Sequence, residues 1–391
     1  MKELKYSKTQ ILLQAAVVLL FISCKKEGSD SSISDPLAPL NLPAIPFNYA
    51  TQPLPLFLTS GPVAAQDNTP AENPVTNWGA TLGRVLFYDK ILSINKSTSC
   101  ASCHRSEAGF SDPERFSKGF AGGRTPRHSM SLINARYYPN GRFFWDERAA
   151  TLEAQVLEPV IDPIEMGMRI DTLINRITAT TYYPVLFMNA FGDRNITTDR
   201  IRRSLAQFIR SMISYRSKFD SGRNEIRPPA NPITAPYPNF TEAENRGKTL
   251  FFSPRTNCST CHGSESFTAV RGAFNNGLES VLTDRGIGGI TNIPSDNGRF
   301  KAHSLKNIEL TAPYMHDGRM GTLEEVIEHY NSGVQLHPNL APVLRNPPPN
   351  SNEVRRLNLT AQEKADLLAF LKTLTDRQIG KDEKFSNPFK Q

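Results

Sequence analysis

Apolar residues recur with a helical period along most of this chain, and the strict alternation that is typical of strands is scarce. The clearest helical face is formed by Ile201, Leu205, Phe208, Ile209, Met212 and Ile213. Three Thr-x-x-Glu pairs, beginning at Thr241, Thr322 and Thr360, predict helix N-termini because they can form capping boxes. The last of these helices presents Leu367, Leu368, Leu371 and Leu374. The pattern therefore predicts a mainly α fold.

One apolar segment occurs twice. Residues 82–88 read LGRVLFY and residues 246–252 read RGKTLFF, and each precedes a Cys-x-x-Cys-His motif. Such self-similarity predicts two related domains. Five prolines fall within residues 227–238, and we place the boundary there, which gives domains at 71–230 and 231–391.

The two Cys-x-x-Cys-His motifs predict two covalently attached haem c groups. In this motif both thiols bond to one porphyrin, and the histidine binds its iron. Zinc knuckles would need further Cys or His residues at ligand spacing, and a redox dithiol needs no following His. Both alternatives are weaker because the whole motif occurs twice. The predicted attachment and iron-binding residues are Cys100, Cys103, His104, Cys258, Cys261 and His262.

The fifth cysteine, Cys24, follows a segment that is typical of an export signal. Residues 1–10 carry three lysines, and Ile11 begins a short apolar run that ends before Cys24. The run is too short for a comfortable membrane span. Residues 1–23 resemble a bacterial lipoprotein signal, which implies a lipid anchor on Cys24 and a location on the periplasmic side of a membrane. Lys25 favours the outer membrane, and an ordinary cleaved signal is the alternative.

Residues 24–70 are rich in proline and predict an extended tether between the anchor and the first domain. The formal net charge is +7, but no basic run exceeds two or three residues. We interpret this charge as a solvated surface, and we expect no nucleic-acid partner.

Four further strings carry a family resemblance. They are GRFFWDERAATLEAQ at 141–155, DPIEMG at 162–167, LTAPYMHDGR at 310–319 and TLEE at 322–325. Together with the haem motifs they resemble the bacterial dihaem cytochrome c peroxidase family and its MauG branch, from about Trp78 to Leu374. The resemblance implies two cytochrome c-like domains in tandem, with a peroxidatic haem in the first and an electron-transferring haem in the second.

The resemblance also implies roles for three residues between the motifs. Gln155 and Glu165 match the residues that line the peroxide pocket, where a carboxylate can move the proton that peroxide loses and regains. Trp145 matches a tryptophan that lies between the two haems. From the residues alone, Glu165 could instead pair with Arg148, and Trp145 could be a core residue.

The axial ligands depart from the peroxidase branch of the family. No histidine follows the first motif where that branch has a distal ligand, so we predict a five-coordinate first haem, with His128 as the rival ligand. Tyr330 stands where that branch has Met and the MauG branch has Tyr. A phenolate ligand would stabilise oxidised iron. The rival ligands for the second haem are Met315, Met320 and His329.

A calcium site between the domains is also implied, with backbone carbonyls at Thr311 and Pro313. His128 stands where the family has a calcium-binding asparagine, and histidine is a poor ligand for this hard cation. The sequence is compatible with a calcium ion at this site and with a homodimer, and it requires neither.

The leading function is that of a dihaem peroxidase that reduces hydrogen peroxide to water at the N-terminal haem. Electrons would come through the C-terminal haem from a small cytochrome c or cupredoxin. One alternative is MauG-like oxidation of side chains on a partner protein. Another is a dihaem electron carrier without enzymatic activity.

Overall fold

The computed structural model describes residues 35–269, 272–349 and 351–390, and helices form most of its regular structure. The α-helices are α1 Leu56–Thr59, α2 Gly61–Ala64, α3 Asn77–Tyr88, α4 Cys100–Cys103, α5 Leu152–Gln155, α6 Glu158–Ile161, α7 Ile170–Thr178, α8 Tyr183–Phe191, α9 Thr198–Ser211, α10 Lys218–Glu225, α11 Glu242–Phe251, α12 Cys258–Cys261, α13 Gly288–Thr291, α14 Leu323–Glu328 and α15 Ala361–Lys372. Short 3-10 turns lie at Lys90–Leu92, Ser106–Ala108, Ala135–Tyr137, Pro294–Asp296, Ile308–Leu310, Pro342–Leu344, Ile379–Lys381 and Glu383–Phe385. A π-helix spans His329–Gly333.

The strand content of the described residues is small. Strands β1 (Ala273–Phe274) and β2 (Phe300–Lys301) pair antiparallel, with Ala273 opposite Lys301 and Phe274 opposite Phe300. The prediction of a mainly α fold is confirmed.

The three predicted capping boxes all form. The hydroxyls of Thr241, Thr322 and Thr360 each accept a hydrogen bond from the backbone N–H three residues later, at the starts of α11, α14 and α15. The periodic apolar face predicted from Ile201 onward belongs to α9, which ends at Ser211. These local signals were sufficient because a capping box involves only residues within one helical turn.

The repeated segment marks two helix pairs that cross at a glycine. Helix α3 packs against α9, and α11 packs against α15. A Cβ atom on Gly83 would lie 1.9 Å from the carbonyl oxygen of Ser204, and a Cβ on Gly247 would lie 1.9 Å from that of Asp366. Each glycine therefore allows two backbones to touch just before a Cys-x-x-Cys-His motif.

Two hydrophobic clusters follow from these helix pairs. The first surrounds α3 and α9, and the second surrounds α11 and α15. Met212 belongs to the first cluster, and Phe219 is the next residue that belongs to the second. Near the end of the chain, Ile379 and Phe385 pack in the first cluster again. From Pro36 onward the chain forms one compact unit. The domain limits at 71–230 and 231–391 stay a prediction.

The N-terminal segment differs from the predicted tether. Leu40 forms an isolated antiparallel β-bridge with Phe389, and the Tyr49 hydroxyl donates a hydrogen bond to the Lys384 carbonyl at 2.6 Å. Phe57 and other apolar side chains between the prolines are buried, which removes their surface from water. Residues 36–70 therefore pack on the body instead of extending from it.

The predicted signal at 1–23 and Cys24 lie outside the described residues. Among the residues that are described, none of the helices has the length and apolar character needed to cross a bilayer.

We expect Gly83→Ala and Gly247→Ala each to lower the free energy of unfolding by about 1–3 kcal/mol, because an added methyl forces the crossing helices apart. Chemical denaturation of the purified protein measures this change. Gly289→Ala is the control, since its nearest neighbour would be 3.8 Å from the new Cβ. Equal stability of all three variants would contradict a close helix crossing.

Candidate functional site

Two cavities lie beside the Cys-x-x-Cys-His motifs. The first, of about 160 Å³, is lined by His104, Gln155, Glu165 and Trp145 among others. The second, of about 220 Å³, is lined by both cysteines and the histidine of the second motif, with Tyr330 on its wall. The structure therefore groups the predicted catalytic residues in the first cavity and the predicted axial tyrosine in the second.

The motif cysteines and histidines are compatible with a covalently attached porphyrin. All four thiols are free of disulfide bonds, and burial raises the pKa of Cys100 to about 12 and of Cys103 to about 11. Burial lowers the pKa of His262 to about 4, which keeps the imidazole neutral, the form that binds metal. The Nδ1 atom of His104 lies 3.0 Å from the Phe110 carbonyl oxygen, which orients the ring. These residues fit haem c.

A tight turn holds Glu165 at the first cavity. The Asp162 carboxylate accepts from the backbone N–H of Ile164 at 2.7 Å and from that of Glu165 at 3.1 Å. The Phe120 N–H donates to the Glu165 carbonyl at 2.9 Å. This approach needs Gly119, because a Cβ there would lie 1.7 Å from the Ile164 carbonyl oxygen.

The pKa of the Glu165 carboxyl lies near neutral pH. Burial raises its pKa to about 7, with the negative charge of Asp162 adding to the rise and Arg148 opposing it. The Arg148 guanidinium bonds instead to Asp146 at 3.1 Å and to Glu158 at 3.0 Å. Across the described part of the chain, Glu165 forms no ion pair, so the alternative pairing with Arg148 does not form.

Gln155 is placed by the end of α5. Thr151 caps this helix by accepting from the Ala154 N–H, and the backbone N–H of Gln155 donates to the Thr151 carbonyl at 3.1 Å. Within the described ranges the Gln155 amide has no protein hydrogen-bond partner. It is therefore available to a ligand in the cavity that it shares with Glu165.

Trp145 lies on the wall that the two cavities share. Trp145 lines both cavities, and its indole N–H donates to the His128 carbonyl at 2.8 Å. Its ring packs edge-to-face with that of His303, with 5.2 Å between the ring centres. The structure thus brings Trp145 between the two predicted haem sites, and it is buried there as well.

The rival ligand His128 is engaged by protein groups. Its Nε2 lies 3.1 Å from the Ser111 hydroxyl, and its Nδ1 lies 3.2 Å from the Glu114 carbonyl oxygen. Both ring nitrogens are therefore committed to protein oxygens, although the side chain also lines both cavities.

Two of the four candidate axial ligands for the second haem line the second cavity. Tyr330 and Met315 line it, whereas Met320 and His329 do not. The His329 Nε2 lies 3.1 Å from the Asn276 carbonyl oxygen. Tyr330 stands in the π-helix, a deformation that is frequent at functional sites, and burial raises the pKa of its phenol.

Thr311 and Pro313 line the second cavity too. In the described ranges, no three or more His, Cys, Asp or Glu side chains form a metal-binding cluster. The predicted calcium site relies on backbone carbonyls, and it stays a prediction.

Sequence reasoning missed Lys301 and His303, which also line both cavities. Burial lowers the pKa of Lys301 to about 7 and that of His303 to about 3. Neither residue stands in a spacing pattern that predicts a site. Their place beside the cavities depends on contacts with distant segments, such as the hydrogen bond from the Lys301 N–H to the Trp145 carbonyl.

Comparison with known proteins agrees with this geometry. The family model described as di-haem cytochrome c peroxidase matches residues 78–225. Methylamine utilization protein MauG of Methylorubrum extorquens is 33% identical over 312 residues, 78% of this chain and 80% of that protein. The chain belongs to the di-haem cytochrome c peroxidase/MauG family. Its cofactors are therefore haem c groups.

Members of both branches resemble this chain. Cytochrome c551 peroxidase of Nitrosomonas europaea is 30% identical over 331 residues, 83% of this chain and 88% of that protein. The crystal structure of a MauG-like protein associated with microbial copper homeostasis has 34% identity and a TM-score of 0.71, over 86% of this chain and 99% of that one. This family member is thus similar to proteins of the peroxidase and MauG types alike.

We expect Asp162→Asn to lower the pKa of Glu165, because the substitution removes a negative charge that favours the protonated carboxyl. The amide oxygen can still accept from the backbone of the turn. A pH titration of the carboxyl C=O stretch by infrared spectroscopy, assigned with Glu165→Gln, measures the shift. Asp171→Asn, at an exposed position, is the control, and an unchanged titration would exclude the Asp162 effect.

Proposed function

We propose that this protein reduces hydrogen peroxide to water at the first cavity, with two electrons supplied by an external redox protein through the second. The observation that carries the proposal is the placement of Gln155 and Glu165 with His104 around one cavity, each without a competing side-chain partner among the described residues. The peroxidases among its relatives support an oxidoreductase that acts on peroxide.

The side chains of the first cavity supply proton transfer and orientation. Haem c, held by Cys100, Cys103 and His104, would supply a redox-active iron for this reaction. The Glu165 carboxylate accepts the proton from one peroxide oxygen and returns it to the oxygen that leaves as water. The Gln155 amide holds the peroxide by a hydrogen bond. Two electrons and two further protons complete the balance, and the product is two water molecules.

The two cavities belong, in this proposal, to two cytochrome c-like domains in tandem. The close approach of both cavities at Trp145 supports electron transfer through its indole ring. The donor is a small cytochrome c or cupredoxin.

A second candidate function is MauG-like oxidation of side chains on a partner protein. Tyr330 favours it, because this side chain lines the second cavity with His262, and a phenolate stabilises oxidised iron. A haem with this ligand is better suited to storing an oxidising equivalent than to receiving electrons from a high-potential donor.

We also propose that the protein is exported and held by a lipid on Cys24 at the periplasmic side of a bacterial membrane, with the outer membrane favoured. The basic and apolar pattern of residues 1–23 supports this location.

The rate of reaction with peroxide should rise as the pH passes about 7, because only the ionised Glu165 can accept a proton. Glu165→Gln should remove this pH step and slow the reaction by roughly a hundredfold or more. Stopped-flow kinetics of the holoprotein across pH measures both effects. Glu107→Gln, an exposed change near the first motif, should keep the wild-type profile, and a Glu165→Gln profile equal to wild type would overturn the role.

Tyr330→Phe should change the ferric EPR and optical spectra of the second haem alone, because Tyr330 would supply the oxygen ligand of that haem. Met320→Leu is the control and should leave both haem spectra unchanged, since Met320 does not line the cavity. If Tyr330→Phe has no spectral effect and Met315→Leu does, Met315 is the ligand instead.

A further inference from the structure

A buried tyrosine and carboxylate form a pair at the first cavity that the proposed function does not use. The phenol of Tyr138 is 1% exposed and donates to Oε1 of Glu147, which is 6% exposed. The other carboxylate oxygen accepts from the Asn140 amide at 2.8 Å. Glu147 can therefore take a proton from the phenol without any movement of heavy atoms.

The position of Tyr138 separates it from the other buried tyrosines nearby. Tyr138 lines the first cavity together with His104 and Trp145. Tyr137 is equally buried but lines neither cavity. Tyr183 donates to the Asp89 carboxylate at 3.0 Å, but it too lines neither cavity. Tyr138 thus combines a proton acceptor with contact to the predicted site of oxidation.

The buried surroundings of Tyr138 determine which oxidised form of its ring is accessible. The Lys301 ammonium lies 3.9 Å from the centre of the Tyr138 ring and 4.3 Å from that of Phe143. Loss of an electron alone would leave a positive charge on the ring in a medium of low dielectric, beside a second positive charge whenever Lys301 is protonated. Loss of the electron and the proton together leaves the ring neutral, so the carboxylate acceptor becomes necessary.

The backbone at Glu147 adopts a conformation that costs free energy, which indicates that the surrounding structure holds this residue in place. Its φ of 54° lies in the left-handed region, which favours glycine, and Phe144 has a φ of 68°. Such conformations persist where the surrounding structure holds them, and they are frequent at functional sites. Here the carboxylate is held by the phenol and the Asn140 amide.

We propose that Tyr138 is a redox-active tyrosine, with Glu147 as its proton acceptor. The inference rests on the proposed function, because hydrogen peroxide supplies the oxidant. The phenol gives one electron to the oxidising equivalent that peroxide leaves in the first cavity. Its O–H bond breaks as an O–H bond forms on Glu147, and a neutral tyrosyl radical remains. An electron from the external donor and the proton held by Glu147 restore the phenol.

The test is freeze-quench EPR of the holoprotein mixed with hydrogen peroxide in the absence of a donor. We expect a tyrosyl radical signal that is lost in Tyr138→Phe and retained in both Tyr137→Phe and Tyr183→Phe. Glu147→Gln should also lose the signal, because the amide cannot accept the proton. In deuterium oxide the radical of the wild-type protein should form more slowly, since the proton moves with the electron.

Three results would overturn the inference while the proposed function stands. The first is peroxide consumption without a tyrosyl signal in the wild-type protein, and the second is an undiminished signal in Tyr138→Phe. Loss of the signal in Tyr183→Phe alone would assign the radical to the Asp89 pair, which also overturns it. Failure of the wild-type protein to consume peroxide would overturn the proposed function itself, and with it the oxidant that Tyr138 requires.

Discussion

The indole N–H of Trp145 donates to the His128 carbonyl, and the Trp145 carbonyl accepts from the Lys301 N–H, each at 2.8 Å. These two bonds join segments that are far apart in the sequence into the wall between the cavities. Both bonds are buried, so losing either would leave a polar group without a partner. The spacing of the two predicted haem sites, and any transfer between them, depends on this wall.

The two cavities differ in the chemistry that their side chains can perform. In the first, removal from water raises the pKa of Glu165 toward neutrality. A carboxyl that exchanges protons near pH 7 is suited to peroxide chemistry. The second cavity presents Tyr330 and Met315, two donors with opposite preferences for the oxidation state of iron.

Relatives of the peroxidase and MauG types both resemble this chain, so the two proposed functions are distinguished by the residues around these cavities. In the two proposed functions, Tyr330 sets what the second haem would store, and Glu165 transfers the proton of peroxide in the first cavity. Tyr138 and Glu147 would add a third place for an oxidising equivalent, at the edge of the first cavity.

The sequence by itself determined the features that depend on neighbouring residues: the haem attachment motifs, the capping boxes and the mainly α fold. It also located Gln155, Glu165 and Trp145, through contiguous strings that resemble a family. Only the tertiary structure decided that residues 36–70 pack on the body and that Lys301 meets Tyr138. Caps and motifs form within a turn of chain, whereas these contacts join distant segments, and their partners depend on how whole helices pack.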